Sequence, residues 1–156
     1  MRRSEGASRG EEASRCGGRR RRGGGRGAGG DAAEAASAVQ IYRVYYDSPG
    51  SDKGSNASLN GEWVQLFNTS KSSRNMKGVK VRDKTGYTYT FGSFTLKGRK
   101  SVYLHTGRGS NSAAHRYWGR KRYVWNNTGD TAYLLYPNGR VADKCSWGRT
   151  GSSKYC

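Results

Sequence analysis

Beyond its first 38 residues, the chain consists of short segments in which apolar and polar residues alternate, separated by turns rich in glycine. The first two segments are VQIYRVYYD and EWVQLFN, residues 39–47 and 62–68. A period of two predicts β-strands, because successive side chains of a strand point to opposite faces of a sheet. In the second segment Val64 and Leu66 share one face, and Trp63 lies on the other. Because both faces carry apolar bulk, we predict that this strand is central in its sheet.

Later segments follow the same rule. In KGVKVRD, Val79 and Val81 face one way, and the lysine and arginine between and after them face the other. The turn DKTG, residues 83–86, then leads into YTYTF, and its glycine suits the positive φ of a hairpin turn. Further strands are predicted over residues 94–96, 101–107 and 140–147. About eight short strands, with no helix longer than a turn or two, indicate an all-β fold, either a β-sandwich or a small barrel.

The stretch YWGRKRYVWNNTGDTAYLLY, residues 117–136, concentrates rings, cations and a turn signal. Its Asn-Asn-Thr-Gly-Asp break separates two apolar runs, which predicts a hairpin of strand, tight turn and strand. The lead-in RYWGRKRY, residues 116–123, which begins one residue before this stretch, is the part that we interpret as functional.

Residues 1–38 form a Gly/Arg-rich segment without apolar periodicity, and we predict that they are disordered. They represent a nucleic-acid-binding tail, a processed segment or sequence translated from a wrongly chosen start codon. Asp31 and Glu34 interrupt the only alanine-rich part, so no apolar stretch of about 7–15 residues typical of an export signal is present, although Ala36-Ser37-Ala38 has the form of a cleavage site. The remaining length suits one modest core, and we expect a single domain over residues 39–156.

The net charge of +18 lies mainly in that domain. Residues 39–156 carry 20 Lys and Arg against 6 Asp and Glu, a net charge of +14, whereas residues 1–38 contribute +4. A surface of this kind attracts polyanions such as nucleic acid, anionic lipid or cell-wall polymer. The alternative is that charge of one sign only keeps the protein soluble. No stretch of about 18 apolar residues exists, so no membrane span is predicted.

Cys145 and Cys156 bracket CSWGRTGSSKYC, while Cys16 has no evident partner. A bridge between the first two would close a loop of about 12 residues and stabilise the fold by roughly 3 kcal/mol. The alternative is a pair of reduced thiols. The bridge implies an oxidising compartment, so we expect an extracellular, secreted protein even though residues 1–38 contain no competent export signal.

The residue types of metal and catalytic sites are present but poorly spaced. Five residues between the first two strands carry side-chain oxygens of the kind that bind calcium: Asp47, Asp52, Asn56, Asn60 and Glu62. Such residues are also typical of any glycine-rich turn, and their spacing fits no EF-hand loop. A zinc site of His105, His115 and the two cysteines matches no known finger. Within residues 39–156, no serine lies in G-x-S-x-G and no paired carboxylates stand out among the six acids. We therefore predict no metal, no cofactor, no catalytic residue and no enzymatic activity.

The best binding candidate is a basic and aromatic cluster around the lead-in. Cations neutralise phosphates while flat rings stack on bases or sugars. We name it the loop-end cluster, and its members are Arg108, Arg116, Tyr117, Trp118, Arg120, Lys121, Arg122 and Tyr123, with Trp125 beside it. The alternative is that the tryptophans are core residues and the cations a solvated face.

Several motifs together resemble the lamin tail domain, in the form found in bacterial secreted proteins. The family pattern G-E-W/Y-V-x-L-x-N is met by GEWVQLFN, residues 61–68, and W-N-N-x-G-D-T-A by WNNTGDTA, residues 125–132. The segments KGVKVRD, residues 77–83, and YTFGSFTLKGRKSVYLHTGRG, residues 89–109, add to the resemblance, which covers about residues 39–156.

The resemblance implies an immunoglobulin-like β-sandwich and a non-catalytic interaction module. Such domains contact DNA, chromatin or proteins in intermediate filament proteins, and in bacteria they accompany secreted enzymes or surface proteins. The ending CSWGRTGSSKYC resembles the small secreted members, which supports the bridge. We therefore expect a binding module for DNA or an anionic envelope polymer; the alternative is a structural spacer or adhesin-type domain with a protein partner.

Overall fold

The computed structural model describes residues 38–50 and 52–156, so the predicted disordered tail lies, apart from Ala38, outside the described residues. This part of the chain contains eleven strands and one short helix. In chain order they are β1 (Val39–Tyr45), α1 (Asn56–Asn60), β2 (Trp63–Asn68), β3 (Arg74–Asn75), β4 (Lys80–Arg82), β5 (Thr88–Thr90), β6 (Thr95–Leu96), β7 (Ser101–His105), β8 (His115–Tyr117), β9 (Asp130–Leu135), β10 (Val141–Trp147) and β11 (Ser153–Tyr155).

The strands form two main sheets that pack on a common core. One has the order β10-β9-β4-β5, the other has the order β11-β1-β2-β7-β8, and β3 and β6 form a separate ribbon. All pairs are antiparallel except β7 with β8. The predicted all-β, immunoglobulin-like sandwich is confirmed, with more strands than the eight expected because several span only two or three residues.

The alternation of apolar residues builds this core as predicted. Val64 and Leu66 of β2 and Val79 and Val81 around β4 are fully buried. Strand β2 pairs with β1 on one side and β7 on the other, so its predicted central position is confirmed. Its opposite face, which carries Trp63, remains half-exposed.

The predicted hairpin over residues 117–136 is wrong. Strand β8 ends at Tyr117, residues 118–129 contain no strand, and β9 pairs with β4 and β10 instead. The physical reason is that the backbone ahead of the turn has another partner: the N–H of Val124 donates to the buried carboxylate of Glu62 at 2.9 Å. The Asn-Asn-Thr-Gly-Asp turn therefore carries the chain from one sheet to the other.

The C-terminus adds one strand that the sequence pattern did not indicate. Strand β11 pairs with the edge of β1, in the register Ser153 to Tyr45 and Tyr155 to Arg43. The predicted disulfide between Cys145 and Cys156 is present, with Cα atoms 5.8 Å apart. Because Cys145 belongs to β10 and Cys156 follows β11, the bridge joins the two sheets. Within residues 38–50 and 52–156, no helix has the length and apolar character needed to cross a membrane.

Candidate binding surfaces

The loop-end cluster lies where β7 and β8 finish, at the end of the sandwich that also holds α1. Past the parallel pairing of these strands, backbone bonds continue from the N–H groups of Trp118, Gly119 and Arg120 to the carbonyl groups of residues 105, 107 and 106, at 2.8 to 2.9 Å. On the other side, the carbonyl of Arg108 accepts hydrogen bonds from the side-chain amides of Asn56 and Asn60, both 2.9 Å. The backbone of the cluster is therefore fixed from both sides.

Several members of the cluster serve the packing of the sandwich. The guanidinium of Arg116 lies 4.1 Å from the ring centroid of Phe94. Trp118 packs against the core, with its ring centroid 6.0 Å from that of Trp125, which is buried. The hydroxyl of Tyr123 is 2.5 Å from the hydroxyl of Ser58. These side chains hold the loop in place.

Other members face solvent. Arg108, Lys121 and Arg122 are exposed, and the half-buried Arg120 lies with its guanidinium 4.1 Å from the ring centroid of the exposed Tyr87. The cluster is thus divided into an inner group that packs and an outer group of cations available to an anionic ligand.

Glu62 provides a buried anchor beneath the cluster. The side chain is 1% exposed, and one carboxylate oxygen accepts hydrogen bonds from Thr106 Oγ1 at 2.6 Å and from the backbone N–H of Val124 at 2.9 Å. Burial raises the pKa of Glu62 to about 7, although these hydrogen bonds act in the opposite direction. Glu62 therefore ties β2, the end of β7 and the segment before β9 together.

All six acidic side chains of residues 39–156 accept hydrogen bonds inside the protein. Asp83 accepts from the backbone N–H groups of its own turn, Asp130 accepts from the N–H of Asn126, and Asp143 accepts from the N–H of Ile41 in β1. Asp47 and Asp52 both accept from the side-chain amide of Asn127. With Glu62 buried as well, most of the negative charge is engaged in the fold, while the outward cations lie at the surface.

The residues weighed as metal ligands are used otherwise. Both cysteines are in the disulfide, so neither offers a thiolate. Nδ1 of His105 donates to the carbonyl oxygen of Asn60 at 2.8 Å, and its Nε2 is 2.9 Å from Nδ1 of His115. Burial lowers the pKa of His105, as does the nearby His115. In the described part of the chain, no group of three or more His, Cys, Asp or Glu is arranged to hold a metal ion.

Sequence reasoning missed a second surface, the outer face of the five-stranded sheet. The register of β1, β2, β7 and β8 places four ring side chains side by side on four adjacent strands: Tyr45, Trp63, His105 and Tyr117. We call these four the ring row. The rings of Tyr45 and Trp63 are 5.5 Å apart between centroids, and those of His105 and Tyr117 are 4.9 Å apart.

A parallel row one step along the strands carries more rings and a cation. Its members are Tyr155, Arg43, Gln65, Tyr103 and His115. The guanidinium of Arg43 lies 4.3 Å from the ring centroid of Tyr155 and 5.5 Å from that of Tyr45. Tyr103 lies edge-on to Trp63 at 5.1 Å. The outward bulk noted at Trp63 was the available sequence signal, but only the register shows that these rings adjoin one another.

Comparison with known proteins supports the resemblance seen in the motifs. No curated protein matches the chain significantly. The sequence profile of the Lamin Tail Domain matches residues 32–149, which is most of the chain and includes every strand of both main sheets except β11. With the immunoglobulin-like sandwich described above, this match shows that the chain belongs to the lamin tail domain family.

Proposed function

We propose that this protein is an extracellular binding module that takes a polyanion, either nucleic acid or an anionic cell-envelope polymer. The observation that carries the proposal is the distribution of charge. Residues 39–156 have a net charge of +14, and their six acids accept hydrogen bonds within the fold. An anionic ligand that approaches the surface therefore meets positive charges that the few carboxylates only weakly counterbalance.

The outer cations of the loop-end cluster are the proposed contact region. Arg108, Lys121 and Arg122 are exposed on segments whose backbones are hydrogen-bonded to α1 and to the end of β7. Long cationic side chains on a fixed backbone suit phosphate or carboxylate groups spaced along a polymer, because each contact releases a counterion.

The family and the disulfide support the remaining parts of the proposal. The lamin tail domain is a non-catalytic immunoglobulin-like domain, which supports a binding role for this protein. The bridge between Cys145 and Cys156 is compatible with an oxidising, extracellular environment.

The test compares two charge-matched triple variants. The first replaces Arg108, Lys121 and Arg122 with glutamine. The second replaces Lys77, Lys97 and Arg140, which are exposed at the opposite end of the sandwich, and serves as the control. Affinity for DNA and for heparin is measured by anisotropy between about 50 and 200 mM salt, where many phosphate contacts give a steep dependence.

We expect the first variant to lose affinity and to lower the slope of log K against log salt by about two to three for duplex DNA, since each phosphate contact contributes about 0.9. The control variant should keep most of the wild-type slope. Absence of binding at low salt, or a flat salt profile for the wild type, would overturn the proposal and favour a spacer or protein-binding role.

A further inference from the structure

The outer face of the five-stranded sheet carries rings that neither the core nor the loop-end cluster uses, apart from Tyr117. We propose that this face is a stacking platform for single-stranded nucleic acid. The inference rests on the proposed function, because it specifies which polyanion the basic surface serves.

The geometry suits stacked bases. Neighbouring strands lie about 4.8 Å apart, so the ring row spans roughly 14 Å from Tyr45 to Tyr117. Four-stranded sheets that bind single-stranded RNA use rings on such a surface to stack about two or three bases. Here Tyr45, Trp63, His105 and Tyr117 remain half-exposed, as does Tyr103 in the adjacent row. Each ring thus retains surface that a flat partner can contact, while the rings of His105 and Tyr117 also stack on each other.

The charge of the face suits a phosphate backbone. Arg43 lies among the rings, the exposed Lys100 precedes β7, and the exposed Arg108 follows it. The outward positions of β1, β2, β7, β8 and β11, all of them described, include no acidic residue. Cations beside rings are the combination that single-strand binding surfaces use, because the rings take bases and the cations take phosphates.

This chemistry favours a single strand over other ligands. In a duplex the faces of the bases are stacked on one another, so the rings would have no partner. A neutral polysaccharide would use the rings but not the positive charge. Bases that are already unstacked on an anionic backbone use both features.

The experiment measures the affinity of four probes by fluorescence anisotropy at one moderate salt concentration. The probes are an oligothymidylate, an abasic oligomer of the same length, a DNA duplex and a neutral oligosaccharide. The abasic oligomer is the sharpest control, because it keeps the phosphates and removes only the bases. The variants are Trp63→Leu and Tyr103→Leu. Tyr133→Leu is the matched control for Trp63→Leu, because both rings are half-buried beside a guanidinium. The guanidinium of Arg43 lies 5.7 Å from the ring centroid of Trp63, and that of Arg82 lies 4.7 Å from the ring centroid of Tyr133, which is on the other sheet.

We expect the oligothymidylate to bind about 10- to 100-fold more tightly than the abasic oligomer, since stacking on one ring changes affinity by that order. Trp63→Leu and Tyr103→Leu should each remove much of this advantage, whereas Tyr133→Leu should keep it. Equal affinity for the oligothymidylate, the abasic oligomer and the duplex would overturn the inference while leaving the proposed function intact. Binding of none of the polyanions would overturn both, and a preference for the oligosaccharide that Trp63→Leu abolishes would overturn the inference.

A second measurement avoids variants altogether, in case a substitution impairs folding. An oligonucleotide containing 5-bromodeoxyuridine is photocrosslinked to the wild-type protein, and the attached peptide is identified by mass spectrometry. Crosslinks at Tyr45, Trp63 or Tyr103 support the platform. Crosslinks confined to residues 118–123 overturn it and assign the binding to the loop-end cluster alone.

Discussion

The outer faces of the two sheets differ sharply in what they present to solvent. Most outward side chains of the four-stranded sheet are polar, with cross-strand pairs such as Thr131 with Ser146, whose hydroxyls are 2.8 Å apart, and Tyr133 beside Arg82. The five-stranded sheet presents rings on every strand, among them Trp63, Tyr103 and Tyr155.

The inner faces show no such difference. Val81 and Leu134 of one sheet and Val64 and Leu104 of the other are buried to the same degree. Forming the sandwich therefore does not require rings outside, since the polar face belongs to an equally well buried sheet. A contiguous apolar surface on a soluble protein usually marks a binding site. The outer face of the five-stranded sheet, which we call the ring face, therefore needs an explanation other than folding.

Removal of the disulfide is expected to have the largest effect on the difference between the two sheets. Cys156→Ser removes the bridge that ties β11, the edge of the ring face, to β10. We expect the free energy of unfolding to fall by about 3 kcal/mol, because the unfolded chain regains the freedom of the closed loop. Urea denaturation monitored by tryptophan fluorescence measures the change.

The loss should be unequal between the two faces. Residue-resolved hydrogen exchange is expected to show an additional loss of protection in β11 and the paired edge of β1, beyond the general decrease that the lower free energy of unfolding gives in both sheets. Dithiothreitol should destabilise the wild type by a similar amount and leave Cys156→Ser unaffected. Equal loss of protection in both sheets would contradict the assignment of the bridge to the ring face.

The second effect concerns Glu62, which supports the ring-bearing strands from inside. Its folded pKa of about 7 exceeds its ordinary value of 4.5, so between these values the folded state holds a proton that the unfolded state has lost. The contribution of Glu62 to stability is therefore fully present below about pH 4.5 and is lost as pH rises through 7. We expect a loss of about 2 kcal/mol between pH 5 and 8, measured by denaturant titration at each pH.

Glu62→Gln removes this titration and should abolish the fall. The pKa of His105 is lowered in the folded protein, so its contribution is lost as pH decreases and has the opposite sign. The profile of Glu62→Gln is therefore expected to be level or to rise slightly with pH. An undiminished fall in that variant would show that other groups control the pH dependence.

The sandwich could be predicted from the sequence, because burial of one face imposes a period of two on the residues of each long strand. The central position of β2 followed from apolar residues on both of its faces, and the disulfide from two cysteines near the end of the chain. The short strands were not predictable in this way, because three residues such as those of β8 contain too little alternation. The turn after Trp125 has the composition of a hairpin, but the backbone before it is held elsewhere. The buried Glu62 binds the N–H of Val124, and the carbonyl groups of residues 105–107 bind the N–H groups of residues 118–120.

The candidate surfaces were harder to predict for a different reason. The loop-end cluster is contiguous in sequence, so it was visible as a run of rings and cations, yet its sequence did not reveal that Arg116 and Trp118 pack inward. The ring row is the opposite case. Tyr45, Trp63 and Tyr117 belong to distant segments and become neighbours only through the register of four strands.

The smallest expected effect tests how firmly the end of the ring row is held. A Cβ atom at Gly109 would lie 2.6 Å from atoms of the Tyr117 ring, so Gly109→Ala must displace a ring that is stacked on His105. We expect a loss of about 1 kcal/mol in the free energy of unfolding, at the lower end for an overpacked contact because the loop is exposed. Gly92→Ala is the matched control, since no atom lies within 4 Å of a Cβ there, and it should leave stability unchanged. If Gly109→Ala leaves both the free energy of unfolding and the oligothymidylate affinity at wild-type values, the position of the Tyr117 ring affects neither folding nor binding. The functional part of the ring row would then end at His105.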